Sequence, residues 1–167
     1  GVLFFSAGRD AAIRPSSLRN ARWLLPRLAA LIVDVDCATM KIDFVSDVSC
    51  PWCAIGLHAL EQALARLDGV VQAELHFQPF ELNPQMPPEG EEIVQHLTRK
   101  YGITAEQCER NSEAIRQRGA AVGFAFGVGK RRRTYNTFNA HRLLHWAGLE
   151  GRQRALKHAL LRAYFTD

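Results

Sequence analysis

Cys50 and Cys53 stand three residues apart in the string Ser49-Cys50-Pro51-Trp52-Cys53. Two thiols at this spacing support one of two chemistries, half of a zinc site or a reversibly oxidised dithiol. Zinc asks for four ligands, and no second Cys-x-x-Cys is present. Cys37 lies upstream, and Cys108 stands alone in a helical pattern. The surroundings favour the dithiol. A short apolar run precedes the motif, and leucines at helical spacing come after it, so Cys50 falls at the first turn of a helix. There the unpaired N–H groups and the helix dipole stabilise a thiolate. The expected roles are Cys50 as the accessible attacking nucleophile and Cys53, deeper in the helix, as the sulfur that resolves the mixed disulfide. Pro51 suits the first helical position, where its missing N–H would be unpaired anyway. Trp52 is expected to flatten the surface beside the sulfur and limit water. Asp47 reads as a loop cap or as a proton acceptor.

Other chemistry-bearing residues read more plainly. His141 and His145 lie one helical turn apart, a spacing metals use, but the glutamate of the zinc-protease pattern is missing and no third ligand is evident. They are expected to be packed or surface histidines. The run Lys130-Arg131-Arg132-Arg133 reads as a solvated loop that could steer acidic partners. His76 and Gln78 fall on the polar face of a strand and need no further role.

The elements that hold the motif are set by periodicity. Residues 41–46 alternate and then turn apolar, as a half-covered strand does. Asp47-Val48-Ser49 is the loop, and Leu57, Leu60, Leu64 and Leu67 mark the helix, which Asp68-Gly69 stops. Val71, Ala73, Leu75 and Phe77 alternate with polar residues in a second strand. Strand, helix and strand in this order form a βαβ unit with parallel strands and a right-handed crossover. Beyond Pro84, Pro87, Pro88 and Gly90 the pattern is helical. Ile93, Leu97 and Tyr101 mark one helix closed by Gly102, and Thr104 with Gln107 matches a capping box for the next. Gly119, Gly123, Gly127 and Gly129 break the stretch around Phe124 and Phe126. A third helix runs over 136–147 and ends at Gly148. A fourth begins at Glu150 or Gly151 and carries Leu156, Leu160 and Tyr164 on its apolar side.

Composition sets outer bounds. The 167 residues, 47% hydrophobic and 23% charged, suit one domain with a real core and no need of covalent staples. Net charge is +4, unevenly spread: residues 91–167 hold 14 Lys/Arg against 7 Asp/Glu, whereas 40–90 hold 2 against 7. The basic balance sits on helix faces without a recognition motif, which argues against nucleic acid. No apolar run reaches the ~20 residues of a membrane span. Residues 23–33 resemble a secretory h-region, yet Pro26 and Arg27 interrupt it and Asp34 and Asp36 occupy the cleavage region. Two paired and two isolated cysteines fit a reducing, cytoplasmic setting better than a disulfide framework.

Taken together, the βαβ unit, Cys50-Pro51-Trp52-Cys53 and the helical stretch resemble the DsbA family of the thioredoxin superfamily, and within it the FrnE-like dithiol-disulfide isomerases. The residues that carry the resemblance are Asp47-Val48-Ser49 before the motif, Phe80-Glu81-Leu82-Asn83-Pro84, Asn136-Thr137-Phe138-Asn139-Ala140-His141-Arg142-Leu143, and Ala163-Tyr164-Phe165. The resemblance covers 40–167 and implies an α/β, thioredoxin-like fold with an inserted helical domain. On that reading 1–39 is an N-terminal extension, 40–83 the βαβ half of the thioredoxin-like domain, and 84–167 an incomplete insertion. The remaining half of the sheet, with the family's cis-proline, would lie past Asp167, and the piece by itself is expected to fold poorly. The implied activity is a thiol-disulfide oxidoreductase or isomerase acting on protein or small-molecule thiols and disulfides. Cys50 and Cys53 would be catalytic and Pro51, Trp52 and Asp47 supporting, with neither metal nor organic cofactor. The same branch includes glutathione-dependent 2-hydroxychromene-2-carboxylate isomerases and kappa-class glutathione transferases, which carry a serine-type site where this chain has Cys50. The alternative is therefore a glutathione-dependent isomerase or transferase, with glutathione as co-substrate.

Overall fold

The computed structural model describes residues 4–5 and 38–167. Cys37 and the signal-like stretch 23–33 lie outside the described residues. The element that positions the motif is strand β2 (Ala38–Ser46). It starts ahead of the alternating run because its first residues pair although Thr39, Met40 and Lys41 are exposed: Ala38 to Ser46 run parallel to Val71 to Pro79 of β3 (Val71–Pro79) without a break in register. Helix α1 (Pro51–Arg66) makes the crossover, so the βαβ unit expected from periodicity is present. A two-residue strand β1 (Phe4–Phe5) pairs antiparallel with the other edge of β2, opposite Asp43 and Ile42, giving the order β1-β2-β3. Part of the N-terminal stretch read as an extension therefore joins the sheet.

Beyond β3 the chain is mostly helical. A small sheet of β4 (Glu91–Glu92) and β5 (Arg133–Thr134) ties the proline-rich segment to the basic run. Helix α2 (Ile93–Tyr101) ends at Gly102, whose φ of 67° is the left-handed cap expected of a glycine there. Helix α3 (Ala105–Ala121) opens with the full capping box of Thr104 and Gln107. It does not break at Gly119. That glycine is helical and buried because a Cβ there would overlap the Phe126 ring and press on the Phe124 carbonyl oxygen. Close packing, not a turn, explains this glycine.

Helix α4 (Phe138–Leu149) and helix α5 (Gln153–Phe165) close the molecule against β3. Gly148 lies inside α4, and the chain turns instead at Gly151, with φ of 67°. The buried face of α5 also differs from expectation. Lys157, Leu161 and Phe165 are buried, while Leu156, Leu160 and Tyr164 are half-buried on its flank. The stripe is one residue off because the helix sits between two partners and its centre faces the core, lysine included.

The core explains why the helical part matters to the motif. Phe44 of β2, Ala54 and Leu57 of α1, Phe77 of β3, Phe124, and Leu161 and Phe165 of α5 form one buried cluster. Leu57 and Leu161 are fully buried, and burying a leucine contributes roughly 1.5–3 kcal/mol. Phe124, Phe126 and Phe165 meet edge to face, with ring centroids 4.8 to 6.3 Å apart. The free edge of β3 is covered by one side chain. Gln153 accepts a hydrogen bond from the Phe77 N–H (3.0 Å) and donates its amide to the Phe77 carbonyl (3.1 Å), as a neighbouring strand would. Among the described residues no helix is long and apolar enough to cross a membrane.

Candidate active site

The motif sits where parallel β2 ends and α1 begins. Cys50 is the N-cap of α1, with extended backbone at φ −92°, ψ 113°, and Pro51 is the first helical residue. The N–H groups of Cys53 and Ala54 close the first turn on the Cys50 carbonyl at 3.1 and 3.3 Å. Both thiols are free, and the two sulfurs share a hydrogen bond. The two then part company. Cys53 donates to the Cys50 sulfur, and with help from the N–H groups of Cys53 and Trp52 this overcomes the cost of burial, holding the Cys50 thiol down at about 6. Cys53, giving its hydrogen bond to a neighbour that prefers to be charged, and buried as well, is pushed far up. One sulfur is a thiolate at neutral pH and the other keeps its proton.

Exposure corrects one expectation. Cys50 is only 7% exposed, scarcely more than Cys53 at 6%, so chemistry and not accessibility separates them. Trp52, by contrast, is 53% exposed, a flat apolar surface standing out beside the motif.

Asp47 is 1% exposed and anchors the loop. One carboxylate oxygen accepts from the Ser49 N–H at 3.1 Å, and the other from the Leu82 N–H at 2.7 Å. The Nε2 of His141 faces it at 3.6 Å, an ion-pair approach too long for a hydrogen bond. Burial pushes the carboxyl up, but the His141 ring, these two N–H groups and Thr137 together hold it below the usual range. Asp47 is thus the cap foreseen in sequence, and it also lies beneath the dithiol: its backbone N–H faces Cys53. Thr137 and His141 come from the string 136–143, and Leu82 from the string 80–84, so both segments converge on one carboxylate. Asn136 fixes their relation, donating to the carbonyls of Pro84 and Met86 and accepting from the Phe138 N–H.

The two histidines of α4 do not act together. His141 is buried against Asp47, whereas His145 is exposed. The basic run is not a solvated loop throughout. Arg131 is half-buried, lies 5.5 and 5.4 Å over the rings of Tyr164 and Phe165, and donates to the Ser49 carbonyl at 3.4 Å. Arg133 donates to the carbonyls of Glu89 and Gly90. His76 faces Glu74 at 2.9 Å, and Gln78 donates to Asp43 at 2.8 Å.

Sequence reasoning missed Lys157. It is 1% exposed, with its ammonium 5.9 Å over the Phe77 ring, and the charges acting on it are Cys53, Asp47 and Cys50. It borders a cavity of about 910 Å³ between β3, α4 and α5, whose wall includes Phe138, His141, Leu144 and Arg154. The only signal was negative: a lysine within a helix whose neighbours at i+4 and i+8, Leu161 and Phe165, are both apolar.

Residues 41–167 match the family model described as a DSBA-like thioredoxin domain. The chain is similar to the crystal structure of a probable DsbA oxidoreductase from Streptomyces coelicolor. Sequence identity is 35% and the TM-score 0.69, over 76% of this chain and 54% of that one. The chain thus spans about half the length of that structure. No curated protein matches it.

Proposed function

The chain belongs to the DSBA-like thioredoxin family and has the α/β, thioredoxin-like fold expected of it, and from that premise we propose a dithiol-disulfide oxidoreductase or isomerase of the FrnE-like branch. The observation that carries this reading is the asymmetry of the pair: Cys50 held down at about 6 by its neighbour's hydrogen bond, and Cys53 held protonated.

That asymmetry sets the order of the chemistry. The Cys50 thiolate attacks one sulfur of a substrate disulfide; the Cys50–sulfur bond forms, the substrate S–S bond breaks, and a substrate thiolate leaves. Cys53 then loses its proton to the departing side and attacks Cys50, releasing the second substrate thiol and leaving the Cys50–Cys53 disulfide. The protein gives up two electrons and the substrate gains them. The reverse sequence oxidises a substrate dithiol. Asp47 holds the loop under both sulfurs, Pro51 starts the helix without an idle N–H, and exposed Trp52 offers an apolar platform to a protein or small-molecule thiol. No metal or organic cofactor is needed for any step. We place the activity in the cytoplasm, on the strength of the cysteine usage.

In the full-length protein, Cys50→Ser abolishes turnover with a dithiol substrate, and Cys53→Ser accumulates a mixed disulfide visible by mass. Undiminished turnover in Cys50→Ser overturns the proposal. A second reading, a glutathione-dependent isomerase or transferase, draws on the cavity of about 910 Å³ with Lys157, Arg142 and Arg154 in its wall, which suits an anionic co-substrate. Glutathione-dependent conversion that survives loss of Cys53 would favour it.

A further inference from the structure

The peptide that carries Cys50 is held at both ends, and one end is held from far along the chain. Ser49 is 3% exposed, so its carbonyl needs a partner inside the molecule. Among the described residues that partner is Arg131, whose Nη2 donates to the Ser49 carbonyl at 3.4 Å. The N–H of the same peptide, that of Cys50, donates to the Asp47 carbonyl at 3.4 Å. The Arg131 guanidinium is itself fixed. Its Nε donates to the Tyr164 hydroxyl at 3.3 Å, and that hydroxyl donates onward to the Arg133 carbonyl at 3.1 Å. The guanidinium also lies 5.5 and 5.4 Å over the rings of Tyr164 and Phe165. No carboxylate pairs with it: among the described residues the arginine ion pairs are those of Arg99, Arg116, Arg154 and Arg162. Its two arms go to a hydroxyl and to the residue before the motif.

We propose that Arg131 is a positioning residue of the dithiol: from the basic run it fixes the Ser49–Cys50 peptide, and through it the direction of the Cys50 sulfur. The link is covalent geometry. A peptide unit is planar, so turning the Ser49 carbonyl away from Arg131 turns the Cys50 N–H with it and changes φ at Cys50. That φ is −92°, the extended value of an N-cap, and it sets how the side chain meets the first turn of α1. Without Arg131 the Ser49 carbonyl is left buried with no partner, and the peptide turns to find one. Cys50 then faces the helix N–H groups less squarely, and its thiolate is less stabilised. A lysine does less than an arginine here, because an ammonium has no rigid planar fork to hold a hydroxyl and a carbonyl at once.

The role rests on Cys50 being the attacking thiol of the proposed oxidoreductase. Turnover in Cys50→Ser tests that reading, whereas the experiment here reads the ionisation of one sulfur with no substrate present, so the two failures are told apart. The thiolate absorbance of the reduced full-length protein is followed against pH in the native sequence, in Arg131→Met and in Arg131→Lys. Methionine keeps an apolar stem over the rings and loses every donor. The Cys50 midpoint is expected to rise by about one unit in Arg131→Met, a tenfold loss of thiolate below the midpoint, and by less in Arg131→Lys. Urea unfolding of the same proteins separates position from stability. A lowered urea midpoint with an unchanged thiolate midpoint makes Arg131 a staple only and overturns the proposal. Should Arg131→Met fail to fold, Tyr164→Phe keeps the ring and removes the hydroxyl that holds the guanidinium. Its thiolate midpoint should also rise, though less than in a protein without the guanidinium, and an unchanged midpoint there overturns the proposal equally.

Discussion

At the scale of single residues, the site is a problem of where one proton sits. Two thiols a helical turn apart in similar burial would titrate alike. They differ because one occupies the N-cap, with N–H groups and the partner thiol pointing at it, and the other lies inside the helix as donor. The consequence can be measured by alkylation. An ordinary thiol reacts half-maximally near pH 8.5. In the reduced protein, iodoacetamide should label Cys50 with a midpoint near 6, while Cys53 stays unlabelled through neutral pH. Peptide mapping distinguishes the sites, and a midpoint near 8.5 would show that the first-turn geometry does not tune this sulfur. The motif and its asymmetry were legible from sequence, because a helix start polarises whichever cysteine occupies it. The near-equal burial of the two cysteines was not, because it depends on neighbours far away in the chain. Arg131, for example, approaches the Ser49 carbonyl from the far end of the helical part.

At the scale of elements, the local signals succeeded wherever the physics is local. The capping box of Thr104 and Gln107 and the left-handed Gly102 are properties of a few consecutive residues, and both are found where periodicity placed them. Gly119 shows the limit of that reasoning. A glycine amid a helical pattern is a breaker by propensity, costing about 1 kcal/mol against alanine, yet this one is required by Phe126 and the Phe124 carbonyl. The two explanations predict opposite signs. If propensity ruled, Gly119→Ala would stabilise α3. With the Cβ forced onto a ring and a main-chain oxygen, the substitution should instead destabilise by about 1–3 kcal/mol, read as a lower midpoint in urea with the slope unchanged. The face of α5 carries the same lesson. Counting leucines selects Leu156 and Leu160, but the core takes Lys157, Leu161 and Phe165, because that line faces Phe77 of β3 and the cluster it forms with Ala54 and Leu57 of α1.

At the scale of the whole molecule, the helical part and the βαβ unit share a core, so the charges at the dithiol weigh on global stability. Each shift has a sign. Cys50 falls from 9.0 to about 6, so its contribution is complete above 9 and is lost as pH drops through 6. Lys157 falls from 10.5 to about 8, so its burial costs most below 8 and is relieved as pH rises from there. Cys53 is raised, and above 9 the folded state resists giving up a proton the unfolded chain releases, which opposes the other two. Between pH 6 and 9 the unfolded chain binds more protons than the folded one at Cys50, and from about 8 upward at Lys157 as well, so the stability of the reduced protein should climb across pH 6 to 9 and level off beyond it, where Cys53 opposes Lys157. The oxidised protein has no Cys50 proton to exchange and should climb less between 6 and 8. Thermal unfolding of both forms at matched pH values tests this. Parallel curves for the two redox states would mean that the thiolate is not coupled to the fold as the buried cluster around Asp47, His141 and Lys157 requires.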